Sequence, residues 1–474
     1  MPSDHLAGTF WYHPHLNGST ALQVSSGMAG FLIVRGDRPP TPQLAGDIDT
    51  LLKEPGGAAF AQRLVLLQQI QYACRDADGK IQKDSAGKYI CNTGQKGGIE
   101  GYDQFGPGSW PKSGRYTTIN GEVTPLFASA QAGRVERWRI LHAGVRDSVL
   151  LQFRKMRPDA ANFALLTAER QADWVAQNCP GAPLPQFALA SDGITRGQIM
   201  QRATTVLQPG YREDLLVVFP EAADYCVIDD GAGPDSTINE QARSRKFLDR
   251  VNVGVGQAVK SDDIKAYLQK ELIAAADRTM PETVKKKVLD DLVNDLRLSS
   301  FVPHPDIAEN EVTGKQTLQF KIDNGGPETK FEDDGTPYNP DHIDRTPTLG
   351  GVDEWTLTSW NNPQLTYVPH PRQPVPGGEN PRPEPQRRQP QRRDRRPSIR
   401  QLEKHLEGHA AGHGKLPDHY THPLSALHRR VRPALPYPRS RGPGNHAKHL
   451  HRDSGRFRWR HGSASLKPLK RRTP

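Results

Sequence analysis

Two histidines separated by a single residue are the part of this sequence best suited to chemistry. His13 and His15 lie within residues 11–15, WYHPH. Alternate side chains of a β-strand project from the same face, so a strand here predicts two imidazoles side by side. Two imidazoles so placed could bind metal ions. A bare His-x-His is an ordinary exposed pair in about three cases of four, so the surrounding residues decide the interpretation.

Length and charge show that the chain has two unlike parts. Its 474 residues suffice for two or three domains. The formal net charge of +10 would by itself suggest an anionic partner such as nucleic acid. Residues 367–474, however, hold 25 Lys and Arg against 7 Asp and Glu, whereas the preceding 366 hold 38 against 46. The basic charge therefore belongs to the tail.

The spacing of the cysteines and the length of the apolar runs argue against several classes of protein. Four cysteines, Cys74, Cys91, Cys179 and Cys226, show no CxxC spacing, which argues against a zinc knuckle or a redox dithiol and allows one or two disulfides. No run of eighteen apolar residues occurs, so no membrane span is expected. No signal peptide is visible either.

The middle of the chain is patterned as short strands between turns, which is typical of a β-sandwich. Strands are predicted over residues 63–72, 134–142, 214–219 and 225–229. After residue 256 the apolar residues recur every four positions, which predicts a helical hairpin. Strand-like sequence resumes over residues 316–322 and 352–360. From residue 367 the composition is dominated by Arg, Pro, His and Gln, which predicts a disordered basic tail.

Residues 8–34, GTFWYHPHLNGSTALQVSSGMAGFLIV, resemble the second copper-binding motif of the multicopper oxidases. The similarity continues at residues 119–127 (INGEVTPLF), 137–146 (RWRILHAGVR), 207–212 (LQPGYR) and 352–357 (VDEWTL). The resemblance implies that His13 and His15 bind the two type 3 coppers of a trinuclear centre, where dioxygen is reduced to water. Met28 belongs in the family to packing behind the motif, and His142 is expected to be structural, since imidazoles are common in cores.

The resemblance implies an all-β fold of cupredoxin-like (plastocyanin-like) Greek-key β-sandwich domains, with a helical hairpin insertion and a disordered C-terminal tail. We expect residues 1–45 to be the C-terminal remnant of a first cupredoxin domain and residues 60–232 to be a second. Residues 257–300 would form the hairpin, 305–366 the start of a third domain, and 367–474 the tail. The family's first ligand segment should precede His13 by several tens of residues, so we expect an N-terminal truncation.

A shift of the reading frame can explain the composition of the basic tail. With suitable synonymous codons read from the second base, residues 366–378 give HTFHIHVNPFQVV, the family's third ligand motif. Residues 421–446 can likewise give RTRYRRYIGEFVLHCHILDHEDQGIM, the fourth motif with its cysteine. A shifted position matches its target roughly one time in five, so some twenty-five consecutive matches exclude chance. We infer a slip of the reading frame near residues 364–366.

By resemblance, the intact relative is a laccase-like or metal-oxidising enzyme, periplasmic or secreted. Its partners are dioxygen and a small reducing substrate, and its type 1 copper is bound by Cys and two His with a weak Met ligand. The present chain keeps two of these ligands, so we expect weak copper binding, no blue copper and no oxidase activity. Two alternatives remain open. One is a non-catalytic cupredoxin-like remnant or interaction protein; the other, less favoured, is a nucleic-acid binder that uses the arginines of residues 382–396.

Overall fold

The computed structural model describes residues 5–16, 18–104, 109–145, 147–163, 168–233, 243–304, 307–323, 330–339 and 341–362. The expected basic tail and frame slip lie outside these residues. The strands are β1 Gly8–Tyr12, β2 Gly30–Val34, β3 Ala61–Gln68, β4 Thr118–Ile119, β5 Leu126–Gln131, β6 Val135–His142, β7 Val149–Lys155, β8 Gln186–Ser191, β9 Ile194–Arg202, β10 Thr205–Leu207, β11 Arg212–Val218, β12 Asp224–Asp229, β13 Lys246–Gly254, β14 Gly314–Asp323, β15 Lys330–Asp333, β16 Thr336–Pro337 and β17 Asp353–Asn362. The helices are α1 Thr20–Ser25, α2 Ser109–Ser113, α3 Ala168–Asn178, α4 Ile264–Thr279 and α5 Glu282–Val293.

A sandwich of two sheets forms the centre of the described chain. One sheet has the strand order β4-β3-β6-β11-β8-β9 and the other β10-β7-β12-β13-β5. The β3–β6 and β5–β13 pairs are parallel, so strands distant in sequence become neighbours. Trp138 of β6 is fully buried between the sheets, with its ring centre 4.9 Å from that of Phe153 in β7. The predicted all-β sandwich is confirmed, and β3, β6, β11 and β12 fall on the predicted strand segments.

The helical pair packs its apolar face into the same core as the sandwich. Ile264, Leu268 and Leu272 of α4 are fully buried, as is Leu292 of α5. These residues recur every four positions in α4, and that spacing forms one continuous apolar stripe on a helix. The four-stranded sheet β16-β15-β14-β17 follows, with β14 and β17 paired in parallel over their whole length.

A short antiparallel ladder of β1 and β2 carries the beginning of the chain. Its register pairs Gly8 with Val34 and Tyr12 with Gly30. Gly8 packs so closely on the turn at Gly193 that a Cβ at Gly8 would lie 2.1 Å from the Gly193 carbonyl oxygen. Any side chain at residue 8 would therefore push this ladder away from the sandwich.

A buried ion cluster joins β1 to the sandwich. The Asp214 carboxylate accepts hydrogen bonds from Arg137 (2.5 Å), Arg139 (3.2 Å) and the Thr9 hydroxyl (2.5 Å). Asp49 accepts a second bond from Arg137 at 2.5 Å. Burial disfavours charge on both arginines, but the nearby carboxylates outweigh it at Arg137 and raise its pKa. At Arg139, burial and the neighbouring Arg137 lower the pKa to about 10.

Replacing Asp214 with Ala should strongly destabilise the protein, because it leaves two buried guanidinium groups with one carboxylate. We expect a loss of about 3–5 kcal/mol in the free energy of unfolding, measured by chemical denaturation. The control is Glu221→Ala, which removes the exposed ion pair with Lys155 and should change stability by less than about 1 kcal/mol. Similar small losses in both variants would contradict the importance of the cluster.

Candidate metal centre

The strand predicted through His15 is shorter than expected. β1 ends at Tyr12, which pairs with Gly30, because the N–H of the preceding Ala29 donates to the Gly27 carbonyl and does not continue the ladder. Pro14 also lacks the N–H group that a continued ladder would need. His13 and His15 therefore lie in irregular backbone after the strand, and the prediction that they share a strand face is wrong. Their ring centres nevertheless lie 5.7 Å apart.

Trp11 is the packing anchor next to the histidines. Its side chain is buried and packs against Leu141 and Ala143 of the sandwich. The ring centres of Trp11 and His13 are 4.3 Å apart, with an interplanar angle of 34°. The imidazole of His13 thus rests on a side chain that is itself fixed by the core.

The two nitrogens of His13 have different surroundings. Nδ1 lies 2.8 Å from the Pro14 carbonyl oxygen, so this nitrogen carries the proton and donates it. Nε2 is buried and has no hydrogen-bond partner among the residues that the structure describes. Burial lowers the pKa of His13, the bond to Pro14 opposes this, and His15 and Arg212 lower it further. A neutral imidazole with an unused, unprotonated Nε2 is the form in which histidine binds a metal ion.

His15 and Met28 are more exposed than His13. The side chain of His15 is exposed, and Met28 is 54% exposed. Among the residues that the structure describes, no group of three or more His, Cys, Asp or Glu side chains is arranged to hold a metal ion. The structure therefore brings together the two predicted ligands and adds no third from these residue types.

His142 has both ring nitrogens in use. Nε2 lies 2.8 Å from the carbonyl oxygen of Asp147, and Nδ1 accepts a hydrogen bond from the Gly144 N–H at 3.1 Å. Burial lowers the pKa of His142 to about 4. These contacts agree with the structural role expected from the sequence, since no lone pair is left for a metal.

The four cysteines form two disulfides, Cys74–Cys91 and Cys179–Cys226. The sequence allowed one or two disulfides without giving the pairing. The first pair closes a turn-rich segment between β3 and β4, and the second joins the end of α3 to β12. No helix in the described part of the chain is long and apolar enough to cross a membrane.

His13 and His142 should exist as opposite neutral tautomers, because their backbone partners face different ring nitrogens. We expect His13 to carry its proton on Nδ1 and His142 on Nε2 in long-range ¹⁵N–¹H correlation spectra at pH 7. The ¹⁵N shifts of His142 should stay constant as the pH falls to 5, since the native ring protonates only near its pKa of about 4. Protonation of His142 near pH 6.5 would contradict the buried environment.

No protein-family profile and no curated protein matches the sequence. Several solved structures match the fold. A metallo-oxidase from Campylobacter jejuni is 14% identical over 77% of this chain and 57% of its own, with a TM-score of 0.44. The laccase-like CueO from Ochrobactrum sp. is 17% identical over 77% and 61%, with a TM-score of 0.41. McoA from Aquifex aeolicus is 16% identical over 77% and 60%, with a TM-score of 0.43.

The chain spans about three-fifths of the length of these structures. All three are multicopper oxidases, the family that residues 8–34 of this chain resemble.

Proposed function

We propose that this chain is a protein of the multicopper oxidase family in which His13 and His15 are copper ligands of the type 3 pair. The observation that carries the proposal is the buried Nε2 of His13, which has no hydrogen-bond partner in the described part of the chain, while the Pro14 carbonyl fixes Nδ1. An imidazole nitrogen in this state suits copper. With a complete set of ligands, copper at such a site would supply the redox chemistry that reduces dioxygen with electrons from a small reducing substrate.

The protein's own contribution to such a site is orientation. Trp11 supports one face of His13, and the Pro14 carbonyl holds the Nδ1 proton, so the lone pair of Nε2 stays available. A histidine whose second nitrogen donates to a carbonyl has a fixed tautomer and is a stronger metal ligand. Partial burial lowers the pKa of His13, which favours the neutral ring that metal binding requires.

The cysteines bear on whether this chain could form a blue-copper site. A blue-copper site needs a thiolate ligand, and the sequence has four cysteines, all in disulfides. We therefore propose that the chain as written has no blue copper and no oxidase activity. The same observation favours the second candidate function, a non-catalytic cupredoxin-like protein that binds a partner. The two disulfides support a periplasmic or secreted location, where such bonds persist.

We retain the frame slip as the proposed origin of residues 367–474. Sequencing of the gene around codon 366 tests it directly. A frameshift there would restore the HTFHIH and HCH motifs in one continuous frame. An undisturbed frame, with no such motifs in either alternative frame, would refute it and would reopen nucleic-acid binding by the arginines of residues 382–396.

Copper binding by the full chain should depend on both histidines. In a Cu(II) titration we expect weak binding that His13→Ala and His15→Ala each weaken by about tenfold or more. The matched control is His342→Ala, which removes an exposed histidine that contacts Asp344 and should leave the affinity unchanged.

Two results would contradict the proposal. Equal copper affinity in all three variants would show that His13 and His15 do not bind the copper. Intense blue absorption together with oxidase turnover in the unmodified chain would show that the missing thiolate is supplied after all.

A further inference from the structure

A turn-rich segment that follows β3 lies against the chain that carries the histidines. We call residues 69–104 the cysteine loop, because it contains the Cys74–Cys91 disulfide. The Tyr102 hydroxyl of this loop donates a 3.0 Å hydrogen bond to the carbonyl oxygen of Gly18. Gly18 lies three residues after His15, and α1 begins two residues later.

The chain that follows the C-terminal end of α1 is held by the end of β3. The Gln68 side chain, at the end of β3, donates a 3.0 Å bond to the carbonyl of Gly27. Gly27 has φ +91°, and its α carbon faces the Ile70 side chain so closely that an added Cβ would lie 3.0 Å from Ile70 Cδ1. Since Ser19 at the N-cap makes no side-chain capping bond, these outside contacts hold both flanks of α1.

Tyr102 itself is in a well-fixed part of the cysteine loop. The neighbouring Asp103 accepts two bonds from Arg75, at 3.0 and 2.8 Å, and Arg75 is adjacent to Cys74. Gln104 is fully buried and donates to the carbonyls of Gln71 and Gly98 at 3.2 and 2.6 Å. The disulfide, the ion pair and the buried amide therefore limit how far Tyr102 can move.

We infer that Tyr102 is a positioning residue for the histidine segment, and that the Cys74–Cys91 disulfide supports it. His13 and His15 lie beyond the β1–β2 ladder, so regular hydrogen bonding does not fix their relative placement. The bond at Gly18 restrains the chain that leaves His15, and a restrained site loses less conformational freedom when it binds a metal. The inference rests on the proposed function insofar as the positioned groups are copper ligands.

The test compares two tyrosines with the same kind of contact. Tyr102→Phe removes the bond to Gly18, and the control Tyr267→Phe removes a 2.8 Å bond from a tyrosine hydroxyl to the Gly133 carbonyl, elsewhere in the fold. In the metal-free full chain, the amides of Gln23, Ser26 and Met28 should exchange hydrogen about fivefold faster in Tyr102→Phe, as expected for the loss of one hydrogen bond. They should exchange at the unmodified rate in Tyr267→Phe.

Copper provides a readout that general loss of stability would not change. The electron paramagnetic resonance spectrum of Cu(II) at the site should become heterogeneous in Tyr102→Phe and in Cys74→Ser/Cys91→Ser, and affinity should fall about threefold to tenfold. Tyr267→Phe should keep the single spectrum. Unchanged exchange rates and an unchanged spectrum in Tyr102→Phe would overturn the inference while leaving copper binding by His13 and His15 intact.

Failure of the proposed function gives a different result. In that case copper binding is insensitive to His13→Ala and His15→Ala, and the inference about ligand positioning falls with it.

Discussion

The buried charges around Asp214 connect the beginning of the chain to its core. Taking a carboxylate and two guanidinium groups out of water is costly unless each is paired and hydrogen-bonded. Arg137 and Arg139 of β6, Asp214 of β11, Asp49 and the Thr9 hydroxyl meet this condition together. Since Thr9 is in β1, the strand must dock in one position for the charges to be satisfied. A two-stranded ladder alone would be only marginally stable in water.

The histidine segment depends on this docking. With β1 fixed by Thr9 and by the close approach of Gly8 to Gly193, Trp11 reaches the apolar surface at Leu141 and Ala143. His13 then follows two residues later and stacks against Trp11. The imidazole is thus oriented by packing and by one backbone carbonyl, rather than by a strand ladder. Such an arrangement needs support beyond the strand, which the contacts at Gly18 and Gly27 provide.

The disulfides have a structural role on both sides of the sandwich. Cys179–Cys226 is buried in a small apolar cluster that includes Trp174 and Phe247. Cys74–Cys91 closes a shorter loop than Cys179–Cys226, with sequence separations of 17 and 47, and each link restricts the unfolded chain. Because all four thiols are used in this way, the described chain has cysteines for stability and none for copper.

The sequence alone determined the class of fold and the two candidate ligands. Alternating and fourfold apolar patterns are local properties, so they placed β3, β6, β11, β12 and the helical pair close to their observed positions. The sequence of residues 8–34 likewise identified His13 and His15 as candidate ligands. Three features were decided only by the tertiary structure: the end of β1 at Tyr12, the pairing of the cysteines, and the roles of Asp214 and Tyr102. Each depends on partners far away in the chain, and no local pattern encodes a contact that forms only when the sheets and the cysteine loop have packed.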